Sequence, residues 1–219
     1  MARDDGRHDF DFLFGAWQIA NRKRVSPLLA GDDEWIEFDA LSVAQPIVGG
    51  LGNVDTYRAP EVPGRPGFEG FTLRLFEPKT GLWRIWWVSS LGTGLLDEPV
   101  VGRFENDGVG RFECDDILEG VHVRVRYEWR VIDTDSLGWE QSFSFDGRRT
   151  WDTNWVMEST RIASPVPGAP LAALSSGLAF LPLDGQVVVA RPLVPRAWVV
   201  PRPVAGRAKG HRRHCGAGS

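Results

Sequence analysis

The chain has 219 residues, a formal net charge of −4, 42% hydrophobic residues, 25 glycines, 15 prolines and ten tryptophans. That length suits one sizeable domain and a tail. Charge is unevenly spread: residues 1–162 carry 18 Lys and Arg against 28 Asp and Glu, net −10, and residues 163–219 carry seven against one, net +6. An acidic body excludes nucleic acid as the main partner, because phosphate binding needs a basic surface. No apolar run reaches the length of a membrane span. Cys114 and Cys215 fall in different regions and define neither a disulfide framework nor a metal site. The charged start, Met1 to Arg7, lacks an apolar signal core, so a cytoplasmic location is expected.

Taken in order, Asp9 to Phe14 is an aromatic, turn-like span that ends at Gly15. Trp17 then opens a strand with Trp17, Ile19, Asn21 and Lys23 on one face. A large ring at the start of a first strand can plug the closed end of a barrel. Arg161, at the end of the last strand, is its expected partner, with the guanidinium stacked on the indole. Trp35 to Val48 reads as one long or bulged strand, and Gly52 to Arg58 as a third. Ala59 to Gly67, with Pro60, Pro63 and Pro66, reads as a stiff loop. In Phe68 to Phe76 the alternation places Phe71, Leu73 and Leu75 inward and Arg74 on the surface. Pro78 to Gly81 is a turn before Leu82 to Ser90. Val100 to Glu105 and Arg111 to Ile117 flank the Asn106-Asp107-Gly108 turn. His122 to Ile132 alternates most clearly, with Val123, Val125, Tyr127, Trp129 and Val131 on one face. Trp139 to Phe145 and Thr150 to Ile162 form the last hairpin around Asp146-Gly147.

These are ten β-like segments joined by hairpin turns, with no amphipathic helix. The pattern specifies an all-β fold, a sandwich or a barrel. The expectation is an antiparallel up-and-down barrel of about ten strands over residues 8–162, with a short N-terminal helical turn. Nine of the ten tryptophans fall in this part, and large rings suit a wide interior better than a thin sandwich core. From residue 163 the sequence becomes rich in Pro and Arg and nearly free of acids. It reads as a low-complexity, disordered tail, or as a basic arm for an acidic partner. Leu178 to Ala190 is a candidate short hairpin around Asp184-Gly185.

The segments Phe12 to Trp17, Asn21-Arg22, Glu34-Trp35, Gly52 to Asp55, Thr72 to Phe76, Pro99 to Phe104, Trp139 to Ser144 and Asn154-Trp155 with Arg161 resemble the calycin superfamily of lipocalin and fatty-acid-binding-protein barrels. They look most like an uncharacterised bacterial branch of lipocalin-like, nitrobindin-like ten-stranded barrels of the DUF1579 type. The resemblance spans residues 8 to 162. It implies the fold and leaves the ligand open, since such barrels serve carriers, haem proteins and a few enzymes.

Strand phase assembles a candidate pocket from Asn21, Tyr57, Trp87, Tyr127, Trp129, Gln141 and Trp155, with Asp55 near its mouth. Trp151, Thr153, Met157 and Ser159 share the phase of Arg161, and Trp139, Phe143 and Phe145 that of Gln141. Many rings and a few polar groups are the usual make-up of a small-molecule site. Asp55 and Tyr57 are the best proton-transfer candidates, although Asp55 also suits a structural pairing with Arg22, Arg74 or backbone amides. A haem reading needs an axial ligand. His8, His122, His211 and His214 all lie off the last two strands, so no cofactor is expected. Nucleotide and hydrolase motifs are absent, and Asp97-Glu98 and Asp115-Asp116 read as solvated acids rather than a metal site. The leading expectation is a barrel that binds a small apolar or aromatic molecule. An isomerase, cyclase or hydratase using Asp55 or Tyr57 is the alternative, and an interaction module with a basic tail the third. In Trp83 to Val88, Trp86 faces opposite to Trp83 and Trp87, which suggests a homodimer contact.

Overall fold

The computed structural model describes residues 5–26, 34–92, 94, 96, 98–163, 182–183 and 186–187. Ten strands carry the chain: β1 (Gly15–Arg24), β2 (Trp35–Ile47), β3 (Gly52–Val62), β4 (Arg65–Glu77), β5 (Leu82–Ser89), β6 (Val100–Phe104), β7 (Val109–Leu118), β8 (Val121–Val131), β9 (Ser136–Ser144) and β10 (Asp152–Ala163). Each pairs antiparallel with its sequence neighbours, and β1 pairs with β10 as well as β2. The sheet therefore closes into an up-and-down barrel rather than a sandwich. Among the described residues, helix is confined to 3-10 turns at Asp11–Leu13 and Val48–Gly50, and none is long and apolar enough to cross a membrane. Two short strands, β11 (Pro182–Leu183) and β12 (Gln186–Val187), form a separate antiparallel ladder. The rest of the expected tail, from residue 164, lies outside the described residues.

One end of the barrel is plugged. The turn at Asp11–Leu13 brings Phe10 into the interior, where it is fully buried and meets Trp83 edge-on at 5.0 Å between ring centroids. Beside it, the Trp17 indole donates to the Leu13 carbonyl at 2.7 Å. The Arg161 guanidinium lies over the Trp17 ring at 4.1 Å and donates to the carbonyls of Phe14 (2.6 Å) and Phe12 (2.8 Å). That single side chain stacks on the first strand's ring and also satisfies the carbonyls of the segment leading into it.

The structure corrects the sequence reading at four places. The expected loop from Ala59 to Gly67 is instead a hairpin, with Glu61 opposite Pro66, Val62 opposite Arg65 and the turn at Pro63-Gly64. Proline cannot donate into a ladder, but its fixed φ fits an extended chain. Gly64, at φ 74°, supplies the left-handed turn conformation. Secondly, the phase of β4 is opposite to that expected: Thr72, Arg74 and Phe76 are buried, whereas Phe71 faces outward and is exposed. Arg74 is thus an interior residue at 3% exposure, not a surface cation. Thirdly, β10 carries a bulge. Thr153 pairs with Ser142 and Trp155 with the next residue, Gln141, so Asn154 is extra. The inserted residue inverts the parity of the strand, and Trp151 lies outside, under the Arg126 guanidinium at 4.0 Å. Thr153 bonds Ser142 there at 3.0 Å. Lastly, Phe145 falls beyond the end of β9 and is exposed. Trp86, opposite Leu73 on the outer face, is half-buried.

The wall is incomplete at one side. β6 has only five residues and pairs with β5 from Trp83 to Ile85 alone. Toward the open end, no strand among the described residues runs between Trp86–Ser89 of β5 and Cys114–Leu118 of β7.

Candidate functional site: the ring-lined cavity

Inward phase on every strand leaves a cavity of about 310 Å³. Its rings come from six strands, with Trp17 of β1 at the plugged end. Tyr57 (β3) meets Trp87 (β5) at 5.7 Å, Trp87 meets Trp155 (β10) at 6.3 Å, and Trp139 (β9) lies 5.5 Å from Trp155 and 5.0 Å from Tyr127 (β8). Most of these contacts are edge-to-face, the arrangement the ring quadrupole favours. They hold the rings upright as walls instead of letting them collapse across the middle.

Of the residues expected to line a pocket, Tyr57, Trp87, Tyr127, Trp129, Gln141 and Trp155 line the cavity, as does Asp55. Asn21 stands behind the rings. Its Oδ1 accepts from the Tyr57 hydroxyl at 2.8 Å and from the Trp155 indole at 3.0 Å, and its amide donates to the Ile19 carbonyl at 3.3 Å. Asn21 therefore fixes two ring walls and does not line the cavity. Gln141 donates to Oδ1 of Asn154 at 2.7 Å, so the bulge residue anchors it.

Asp55 lies deep, toward the plugged end, rather than at the mouth. β3 runs from the plugged end outward, and Asp55 is only its fourth residue. One carboxylate oxygen accepts from Thr72 at 3.0 Å, and the other pairs with Nη1 of Arg74, which also donates to Asn53 Oδ1 at 3.1 Å. Arg74 in turn lies 5.4 Å from Phe10 and 5.3 Å from the Trp129 ring. Both Asp55 oxygens are engaged, which is the structural pairing considered for it. Burial raises the Tyr57 hydroxyl well above the usual tyrosine range, against the opposing effect of its bond to Asn21, and so disfavours the phenolate.

Several interior donors have no hydrogen-bond partner among the described residues: Nε of Arg74, Nε1 of Trp129 and the amide nitrogens of Asn53 and Asn154. Arg74 and Trp129 also line the cavity. Sequence phase missed Arg74, and the signal for it was the neighbouring hairpin, where Asn53 and Asp55 fall opposite Arg74 and Thr72. Lys23, given an inward phase but no role, lines the open end. Its ammonium sits 3.5 Å above the Trp155 ring centroid. Burial, helped by the positive charge of Arg65, holds it down to about 8. Cys114 lines the side nearest the incomplete wall, and burial, with Asp116 beside it, pushes its thiol up to about 11.

No group of three metal-ligating side chains occurs among the described residues. His8 pairs with Asp11 at 2.8 Å outside the barrel, and His122 is exposed.

No protein-family model matches the chain, and no curated protein matches it. Among solved structures, it is similar to an S-type phycobiliprotein lyase, CPES, from Guillardia theta. The identity is 8%, the match covers 72% of this chain and 94% of that one, and the TM-score is 0.49.

Proposed function

We propose that this barrel is a binding protein that holds one small, largely apolar or aromatic molecule in its cavity. The observation that carries the reading is the cavity itself: about 310 Å³, walled by Tyr57, Trp87, Trp139 and Trp155, which brace one another at its sides. Apolar walls with a few convergent polar groups are the make-up of a ligand site. Arg74 and Trp129 close the deep end of the cavity, where Asp55 already balances the Arg74 charge, which favours an uncharged part of the ligand there. The proton-transfer alternative finds less support, because Asp55 is engaged on both oxygens and Tyr57 is held protonated. The Trp17–Arg161 stack supports placing the chain with the calycin barrels and, more finely, with the nitrobindin-like branch it resembles. A cytoplasmic location and a Trp86 homodimer contact belong to the same proposal.

Native mass spectrometry of the purified protein tests it. A retained small molecule, released on unfolding, is the expected result. A protein that carries none, and shows no saturable change in tryptophan emission with a broad apolar panel, would end the reading.

A further inference from the structure

Every interior charge but one is balanced within the described residues. Arg74 has Asp55, and on the next, outward position of β1 Arg24 pairs with Asp152. Lys23 has no such partner. β1 turns it inward two residues after Asn21, opposite Trp155, and it is half-buried at the open end of the cavity. No hydrogen bond or ion pair to its ammonium is found among the described residues. Its neighbours are the face of Trp155, which supplies only part of what water would, and the like charge of Arg65 at the β3–β4 turn. Of the acids that border the same cavity, Asp55 is taken by Arg74, and Glu98 and Asp116 are exposed and lie by the gap in the wall. An ammonium removed from water without a counter-charge is destabilising, and the anion that arrives beside it removes most of that penalty.

We propose that Lys23 is a head-group site that takes the carboxylate of an amphipathic ligand whose apolar body lies between the Trp87, Trp139 and Trp155 rings. The inference rests on the cavity-binding reading and adds to it the ligand's class, an apolar acid. A single ammonium on an aromatic face balances one negative charge. It offers none of the forked donors or backbone amides that favour a phosphate over a carboxylate. The arrangement also sets the ligand's direction: the acid faces the open end, and the uncharged end faces the deep end, closed by Arg74 and Trp129.

The test titrates the fluorescent acid cis-parinaric acid and its methyl ester into wild type, Lys23→Met and Lys23→Arg. Charge-assisted pairing predicts that wild type prefers the acid over the ester by about tenfold or more. Lys23→Met should erase that preference by weakening the acid alone, and Lys23→Arg should retain most of it. Equal affinity for acid and ester in wild type, or a preference that survives in Lys23→Met, overturns the head-group site while the cavity reading stands. If neither probe binds saturably, the cavity reading fails and takes this site with it.

Discussion

Arg74 reaches diagonally across the β3–β4 hairpin. Its register partner is Asn53, yet its Nη1 pairs with the carboxylate of Asp55, two residues further along β3. Both side chains are inside the barrel, where a broken pair leaves a buried charge unmatched. Arg74→Met should therefore lower stability by about 3–5 kcal/mol, and replacing both partners with apolar residues should cost much less. Urea melts of Arg74→Met and of Arg74→Met with Asp55→Leu measure the difference. A single-variant loss below about 1 kcal/mol would remove the pair from any structural role.

The plug makes a second, separable prediction. Trp17 is 2% exposed, stacked on by Arg161 and bonded to Leu13. Trp17→Ala should cost about 3–5 kcal/mol, as for a buried ring removed from a packed core. Arg161→Ala should cost less, but its effect should shrink in the Trp17→Ala background. Additive losses would show that the stack does not couple the first strand to the last.

Lys23 predicts a pH dependence of stability. The folded protein holds its ammonium near 8, below the usual 10.5. Between those values the unfolded chain carries a proton that the folded one has lost, so stability rises with pH. Below about 8 both states are charged and the full burial penalty is present; above 10.5 it has vanished. From about pH 8 upward the raised Cys114 thiol begins to oppose this rise, and above about 9 so does Tyr57. Between pH 7.5 and 9 the Lys23 gain is the larger of the two, and wild type should gain about 1 kcal/mol. Urea midpoints at the two pH values should show that gain in wild type and not in Lys23→Met. The same gain in both proteins would assign the titration to another group.

The closing ladder between β1 and β10 is complete by Ala163. Deleting residues 166–219 should therefore leave the barrel intact. Circular dichroism of the truncated protein should keep the β-type spectrum and melting midpoint. Loss of either would make the tail part of the fold.

Much of this architecture is legible in the sequence, and the failures have identifiable causes. The strict alternation of β8, from Val123 to Trp129, and the turn residues between strands suffice for an all-β antiparallel fold, and the number of tryptophans favours the closed barrel that is found. Arg74 escapes because Leu73 and Leu75 beside it have the composition of a core face while in fact pointing outward. Only pairing the strands shows that Asn53 and Asp55 fall opposite Arg74 and Thr72. Trp151 and Thr153 escape because parity counted back from Arg161 cannot see the extra residue at Asn154. Asn21 was found as an inward polar residue, but its role as the acceptor for two ring walls depends on Tyr57 and Trp155 converging from distant strands.

The central claim is that the molecule binds inside the barrel, and filling the cavity tests it most directly. Ala44 is buried and lines the space. Ala44→Phe should occupy part of it without displacing a wall, since the room already exists. Titrating apolar probes into wild type while following tryptophan emission should give saturable binding of one molecule per chain. In Ala44→Phe that binding should fall by at least about tenfold with the urea midpoint unchanged. Undiminished binding in a folded Ala44→Phe would place the ligand elsewhere and contradict the account.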